Sequence, residues 1–174
     1  MKIAVISGSP RKGANTQTMM KFVYEYAKSK NTDTKFINLS DGGVDYYRGS
    51  TENYTQSTMQ AAKDITEADV WLVGTPIYNS FFSSALKNLF EFINYKATAG
   101  KTAGLAILAS GNIGFTDVQT LLTQLMSYFR VITNPTAVFM TADMVKDGAV
   151  IDENAKKRLQ EMVDQTMLLA SRPK

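Results

Sequence analysis

Lys2-Ile3-Ala4-Val5-Ile6-Ser7-Gly8-Ser9-Pro10-Arg11-Lys12-Gly13-Ala14-Asn15-Thr16 is the stretch on which the fold turns. Residues 2–7 form a short apolar run of strand length, apolar at successive positions rather than alternating, as expected of a strand buried on both faces. From residue 15 to 29 the pattern changes: Met19, Val23 and Tyr26 fall on one helical face beside Met20 and Ala27. A buried strand that enters a helix through a short glycine-bearing loop is the building unit of a parallel α/β sheet.

The alternation continues outward from that unit. Thr34 to Leu39 reads as a second strand, and a polar stretch bearing glycine and tyrosine runs from Asp41 to Thr55, before a helix near 57–67. Asp69 to Thr75 is the most strand-like run in the chain, followed by a helix at about 83–95. Thr102 to Ala109, a helix at about 117–130, a strand from Thr136 to Thr141 and a helix from about 152 to 170 complete the series, the last starting near Asp152 or Asn154. Parallel strands need crossovers, and right-handed crossovers put helices on both faces. The expectation is an α/β fold: one doubly wound, five-stranded parallel sheet in three layers, a single domain over residues 1–174. The helix at 83–95 is apolar on more than one face (Ala85, Leu86, Leu89, Phe90, Phe92, Ile93), which predicts burial at a subunit interface.

Composition narrows the chemistry. Among 174 residues there is no cysteine and no histidine, which excludes disulfides, thiol nucleophiles, Cys/His zinc sites and a Ser-His-Asp triad. No side chain titrates near neutrality without a large shift, so no catalytic side chain and no metal site are expected. Such a chain is a binder or an enzyme whose cofactor carries the reaction. The net charge of +3 comes from lysines and arginines spread along the chain, a poor footprint for nucleic acid and a favourable field for small anions. The apolar stretch Ile3 to Ile6 is too short for a signal peptide, and no run is long enough to span a membrane, so a cytoplasmic protein is expected.

In doubly wound sheets ligands bind beyond the carboxyl ends of the strands, where the strand order reverses. Three loops therefore carry the candidates. After the first strand, the coming helix offers unpaired N–H groups, Ser9, Asn15 and Thr16 offer neutral donors, and Arg11 a charged one: a cradle for phosphate. The spelling departs from a Walker loop, because Ala14-Asn15 follows Gly13, and from the dinucleotide fingerprint, because Ser7 stands at its first glycine. After the third strand, Pro76 stiffens the exit, the following amides can reach a ring edge, and Tyr78, Phe81 and Phe82 offer aromatic surface. After the fourth, Ser110-Gly111-Asn112-Ile113-Gly114 is small enough to press backbone against a flat ring.

These residues resemble a known family. Gly8-Ser9-Pro10-Arg11-Lys12-Gly13 with Asn15-Thr16 looks like the phosphate loop of the NADPH-dependent FMN reductases, which are flavodoxin-like in fold, and Thr75-Pro76-x-Tyr78-Asn79 with Leu86-Lys87-Asn88 looks like their isoalloxazine loop. The resemblance implies FMN as cofactor, with Ser9, Arg11, Asn15 and Thr16 on its phosphate. Pro76, Ile77, Tyr78, Asn79 and Ser80 would line its ring, and Ser110, Gly111 and Asn112 would face it. It implies NADPH or NADH as reductant and a small electron acceptor (free flavin, quinone, azo compound or metal ion). It also implies a homodimer or homotetramer, with no nucleic acid or membrane partner. Lys12 and Arg48 are candidates to meet a 2′-phosphate, while Tyr46, Tyr47 and Tyr54 are candidates to lie over the flavin or across a subunit boundary. Departures stand at Ala14, where many members carry Ser, at Phe81 and Ser83-Ser84, where Ser and Pro-Gly are common, and at Asn112, which replaces a second glycine. The Phe82-to-Lys87 spelling is nearer the branch that serves alkanesulfonate monooxygenases. Two other readings stay open: a flavodoxin-type electron carrier without nicotinamide turnover, and a non-enzymatic nucleotide-binding module. NADPH consumption separates the first, FMN titration the second.

Overall fold

A computed structural model of the chain describes residues 1–30, 32–50 and 52–172. In chain order the elements are β1 (Lys2–Ser7), α1 (Asn15–Ser29), β2 (Asp33–Asn38), α2 (Gln56–Glu67), β3 (Val70–Tyr78), β4 (Phe81–Phe82), α3 (Ser84–Glu91), β5 (Thr102–Ala109), α4 (Phe115–Tyr128), β6 (Ile132–Thr133), β7 (Val138–Thr141), β8 (Val145–Lys146), β9 (Ala149–Val150) and α5 (Glu153–Ala170). The central sheet runs β2-β1-β3-β5 in parallel, with β6 and β7 following one another along the outer edge of β5.

The two-residue period of the strands divides the core. Ala4 and Ile6 of β1, Trp71 and Val73 of β3, and Ala103, Leu105 and Ile107 of β5 face α2, α3 and α4. Ile3, Val5, Val70, Leu72, Ala106 and Leu108 face α1 and α5. Because both faces are covered, the strands are apolar throughout, as their sequences require. Trp71 is fully buried, and its indole N–H donates to the Ile65 carbonyl at 2.8 Å.

The sheet differs from the expected five strands at its outer edge. The run read as one strand, Thr136 to Thr141, is preceded by a second paired segment. Thr102 and Ala103 pair with Ile132 and Thr133, whereas Ala106 pairs with Val138. Three residues of β5 thus match five of its neighbour, a bulge containing Pro135, which has no N–H for the ladder. Asn134 organises the interruption: its side chain accepts from Thr136 N at 2.9 Å and donates to Thr166 Oγ1 at 3.1 Å. The short β4 adds an antiparallel pair to the end of β3, which runs on to Tyr78, and β8 and β9 form a separate hairpin. That hairpin turns through Asp147 and Gly148, both at positive φ, the Asp-Gly signature of a tight turn.

Helix α3 is shorter than its apolar pattern suggested, and its excess of apolar residues is consumed within the chain. Leu86, Leu89, Phe90 and Ile93 are buried in the core, and Phe92 meets Tyr47 and Tyr54 edge-on at 5.2 and 4.8 Å. Tyr47 and Tyr54 of the 41–55 stretch, of which Thr51 lies outside the described residues, therefore cover Phe92 on the face assigned to a subunit interface.

Candidate functional site

β1 lies between β2 and β3, so the chain leaves β1 toward one side of the sheet and returns on the other. The loops after β1 and β3 diverge at this reversal and leave a crevice at the carboxyl edge. A cavity of about 320 Å³ occupies it. Arg11, Gly13, Ala14, Asn15 and Thr16 line it from the first loop, Pro76, Ile77 and Tyr78 from the third strand, Leu108, Ala109 and Ser110 from the end of β5, and Ala142 from beyond β7.

The α1 end of the cavity is a set of donors. Its N-cap, Ala14, has no side-chain acceptor for the first turn, whereas Thr55, Ser83 and Asp152 supply one to α2, α3 and α5. The first amides of a helix otherwise find no partner inside it and carry its positive end. Arg11 is exposed and is the one charged side chain on the cavity wall. Among the described residues no carboxylate lines the cavity. Beneath the loop, Ser7 Oγ is fully buried at the end of β1 without a hydrogen-bond partner among the described residues.

The remaining named residues divide in two. Ser9 is buried and does not line the cavity. Its hydroxyl lies 3.2 Å from the Tyr78 hydroxyl and accepts from Arg11 N at 3.3 Å, joining the first loop to the third. Asn15 lines the cavity, but its amide donates to the Ala142 carbonyl at 3.3 Å, tying α1 to the end of the fifth strand position. Asn79 and Ser80 are exposed at the β3–β4 turn with φ of 49° and 63°, the left-handed pair of a tight hairpin turn, and neither lines the cavity. Ser110 lines the cavity, while Gly111 and Asn112 are exposed on the loop beyond it. Ala142 was missing from the sequence reading. The rule that ligands gather at strand carboxyl ends, applied to the fifth strand as well, points to it.

A larger cavity of about 820 Å³ lies across the same loop, lined by Pro10, Lys12, Leu39, Val44, Tyr46 and Ala85 among others. Lys12 thus faces away from the first cavity's wall. Arg48 lies over the Tyr54 ring, 5.5 Å from its centroid, with Nε 3.9 Å from Glu52. This loop is fastened by Asp45, whose carboxylate accepts from the amide and hydroxyl of Thr55 and from the Thr58 hydroxyl at 2.7–2.9 Å. Those donors hold its pKa below the usual value.

A family model described as NADPH-dependent FMN reductase matches residues 1–145. The chain is 25% identical over 166 residues to an NAD(P)H-dependent FAD/FMN reductase of Geobacillus thermodenitrificans, covering 93% of this chain and 89% of that protein. It is 26% identical over 166 residues to an NADPH azoreductase of a Bacillus species, covering 94% and 89%. Among solved structures, the apo form of an NADH:FMN oxidoreductase superposes with a TM-score of 0.82 over 99% of this chain and 91% of that one, at 21% identity, a likeness of fold.

Proposed function

This chain belongs to the NADPH-dependent FMN reductase family, and on that premise we propose that it is an FMN-dependent oxidoreductase. It takes hydride from NADPH or NADH and passes electrons to a small acceptor such as free flavin, a quinone, an azo compound or a metal ion. The observation that carries the reading is the chemistry of the donor set. At the strand-order reversal an uncapped helix start, an arginine and hydroxyl groups converge on one cavity, and no carboxylate among the described residues lines it.

That set fits the phosphate end of FMN. Arg11, Thr16 and the first amides of α1 would hold the phosphate, as charge-assisted and helix-terminus contacts favour. Pro76, Ile77, Tyr78 and Ser110 would border the ring, where the stiff exit from β3 and the apolar ends of β3 and β5 exclude water. Ser9 acts one step back, holding the Tyr78 hydroxyl and the Arg11 amide in place. Asn79, Ser80, Gly111 and Asn112 stand at the rim, within the two loops that would flank the ring. When bound, FMN supplies the hydride-accepting centre. No protein acid or base is needed, and positioning two flat rings in contact is the protein's task.

The same reading makes residues 1–174 one flavin-binding domain, cytoplasmic, and assembled as a homodimer or homotetramer. Support for assembly comes from large apolar side chains left exposed on the cavity's flanking loops, Phe81 and Ile113. Light scattering gives the oligomer directly. The decisive test is FMN titration followed by steady-state oxidation of NADPH and NADH with a panel of acceptors. Saturable quenching of flavin fluorescence and acceptor-dependent turnover are expected. No response to a large excess of FMN overturns the proposal.

A further inference from the structure

Ser83 sits where three parts of the site meet. It is 1% exposed, the N-cap of α3, and its hydroxyl accepts from Leu86 N at 3.1 Å while donating to the Gly8 carbonyl. Its own amide donates to Thr75 Oγ1 at 3.1 Å. One residue thus engages the end of β3, the start of α3 and the first residue of the loop after β1.

Gly8 is held from the other side as well. Its amide donates to the Gly74 carbonyl at 2.8 Å, and a Cβ on Gly8 would stand 2.6 Å from that same oxygen and 3.3 Å from Leu86 Cβ. The loop that runs on to Ser9 and Arg11 therefore leaves the sheet from a residue whose amide and carbonyl are both engaged. Past Gly8 the contacts thin out: Pro10, Arg11, Lys12 and Gly13 are exposed, and Gly13 has no neighbour within reach of a Cβ. A loop anchored at Gly8, at Ser9 against Tyr78 and by α1 at its far end takes its geometry from those anchors.

We propose that Ser83 is a positioning residue for the anion-binding loop: its hydroxyl, through Gly8, sets the path of residues 9–13 and so the affinity for the phosphate rather than for the ring. The proposal rests on the flavin reading above and goes beyond it by giving a residue outside the cavity wall a selective effect on one end of the ligand.

Ser83→Gly is the informative variant, because glycine is nearly as good an N-cap as serine while carrying no hydroxyl for Gly8. Two readouts test it. In the ligand-free protein, hydrogen exchange at the Gly8 and Arg11 amides, which donate to the Gly74 carbonyl and to Ser9 Oγ, should quicken relative to wild type, with exchange in β5 unchanged. In binding, the Kd for FMN should rise about tenfold while the Kd for riboflavin, which lacks the phosphate, stays within about twofold. Ser83→Thr, which keeps the hydroxyl, should restore both. Unchanged loop exchange overturns the clamp, whether or not the protein binds flavin. Quickened exchange with equal losses for FMN and riboflavin, or with neither, overturns the phosphate-selective role. A wild-type protein that ignores FMN sinks the flavin reading instead, and the exchange readout still decides the clamp. Asp152→Ala removes a cap far from Gly8 and should leave both loop exchange and the FMN-to-riboflavin ratio as in wild type.

Discussion

The two ends of the sheet are built on opposite plans. At the amino end, nearby groups satisfy one another. Lys2 N donates to Asp69 Oδ2, Asp69 N to the Lys2 carbonyl, Thr102 N to the Asp69 carbonyl, and Lys2 Nζ pairs with Glu67 at 2.9 Å. Two cavities lie there, one of about 30 Å³ beside Lys2 and Glu67 and one of about 370 Å³ whose wall includes both Asp69 and Lys101. At the carboxyl end α1 starts without a side-chain cap, Ser7 Oγ is buried without a partner among the described residues, Asn79 and Ser80 adopt positive φ, and the cavity of about 320 Å³ has Arg11 on its wall and no carboxylate among the described residues. Closed polar networks stabilise; open donors recognise. The reading proposed above puts binding at the end where the protein leaves its own hydrogen-bonding capacity unused.

The comparison breaks most visibly if Arg11→Ala has no effect. We expect its FMN Kd to rise at least about tenfold, in line with a hydrogen bond to a charged group, with the melting temperature of the ligand-free protein unchanged. Fluorescence titration and a thermal scan check the two halves. Next in size is Ala14→Asp, which gives α1 the kind of side-chain cap that α2, α3 and α5 carry. The ligand-free protein should gain about 1 kcal/mol while FMN binding weakens severalfold, because the new carboxylate occupies the amides and repels phosphate. A gain in both would show that the uncapped helix start is not the anion site.

Asp152→Ala gives the converse at α5. Its side chain accepts from Ala155 N at 2.7 Å, and its loss should lower stability by about 1 kcal/mol with FMN affinity unaltered. The smallest effect belongs to the exposed amino-end pair. Glu67 is held below its ordinary pKa by the hydrogen bond and charge of Lys2, and Lys2 is raised by Glu67. A depressed carboxylate contributes stability above its unfolded pKa and loses it as pH falls through the folded value. A raised lysine contributes below its unfolded pKa and loses its share at high pH. The melting temperature of Glu67→Gln should therefore sit about 2 °C or less below wild type at pH 7, with the gap closing as the pH falls below the ordinary glutamate range. A gap that persists in acid would remove the ion pair as its cause.

Much of this molecule is legible in the chain. Apolar runs of strand length separated by amphipathic segments are local properties, and β1, α1, β5 and α5 lie within a residue or so of where periodicity and the cap at Asp152 put them. The bulged edge was partly readable from Pro135, and the β8–β9 hairpin from Asp147-Gly148, a signal left unused. The face of α3 could not be assigned from composition, because Tyr47 and Tyr54, which cover Phe92, are some forty residues away in the chain.

By itself, then, the sequence determined the α/β alternation, the three loops that matter and the exclusion of cysteine and histidine chemistry, because propensity, period and composition act over a few neighbouring residues. Only the tertiary structure decided which polar groups remain open to a ligand. Ser9 is engaged by Tyr78, Asn15 by Ala142 and Gly8 by Ser83, at separations of 69, 127 and 75 residues. A donor is free or taken according to what the fold brings beside it, and no local pattern carries that information.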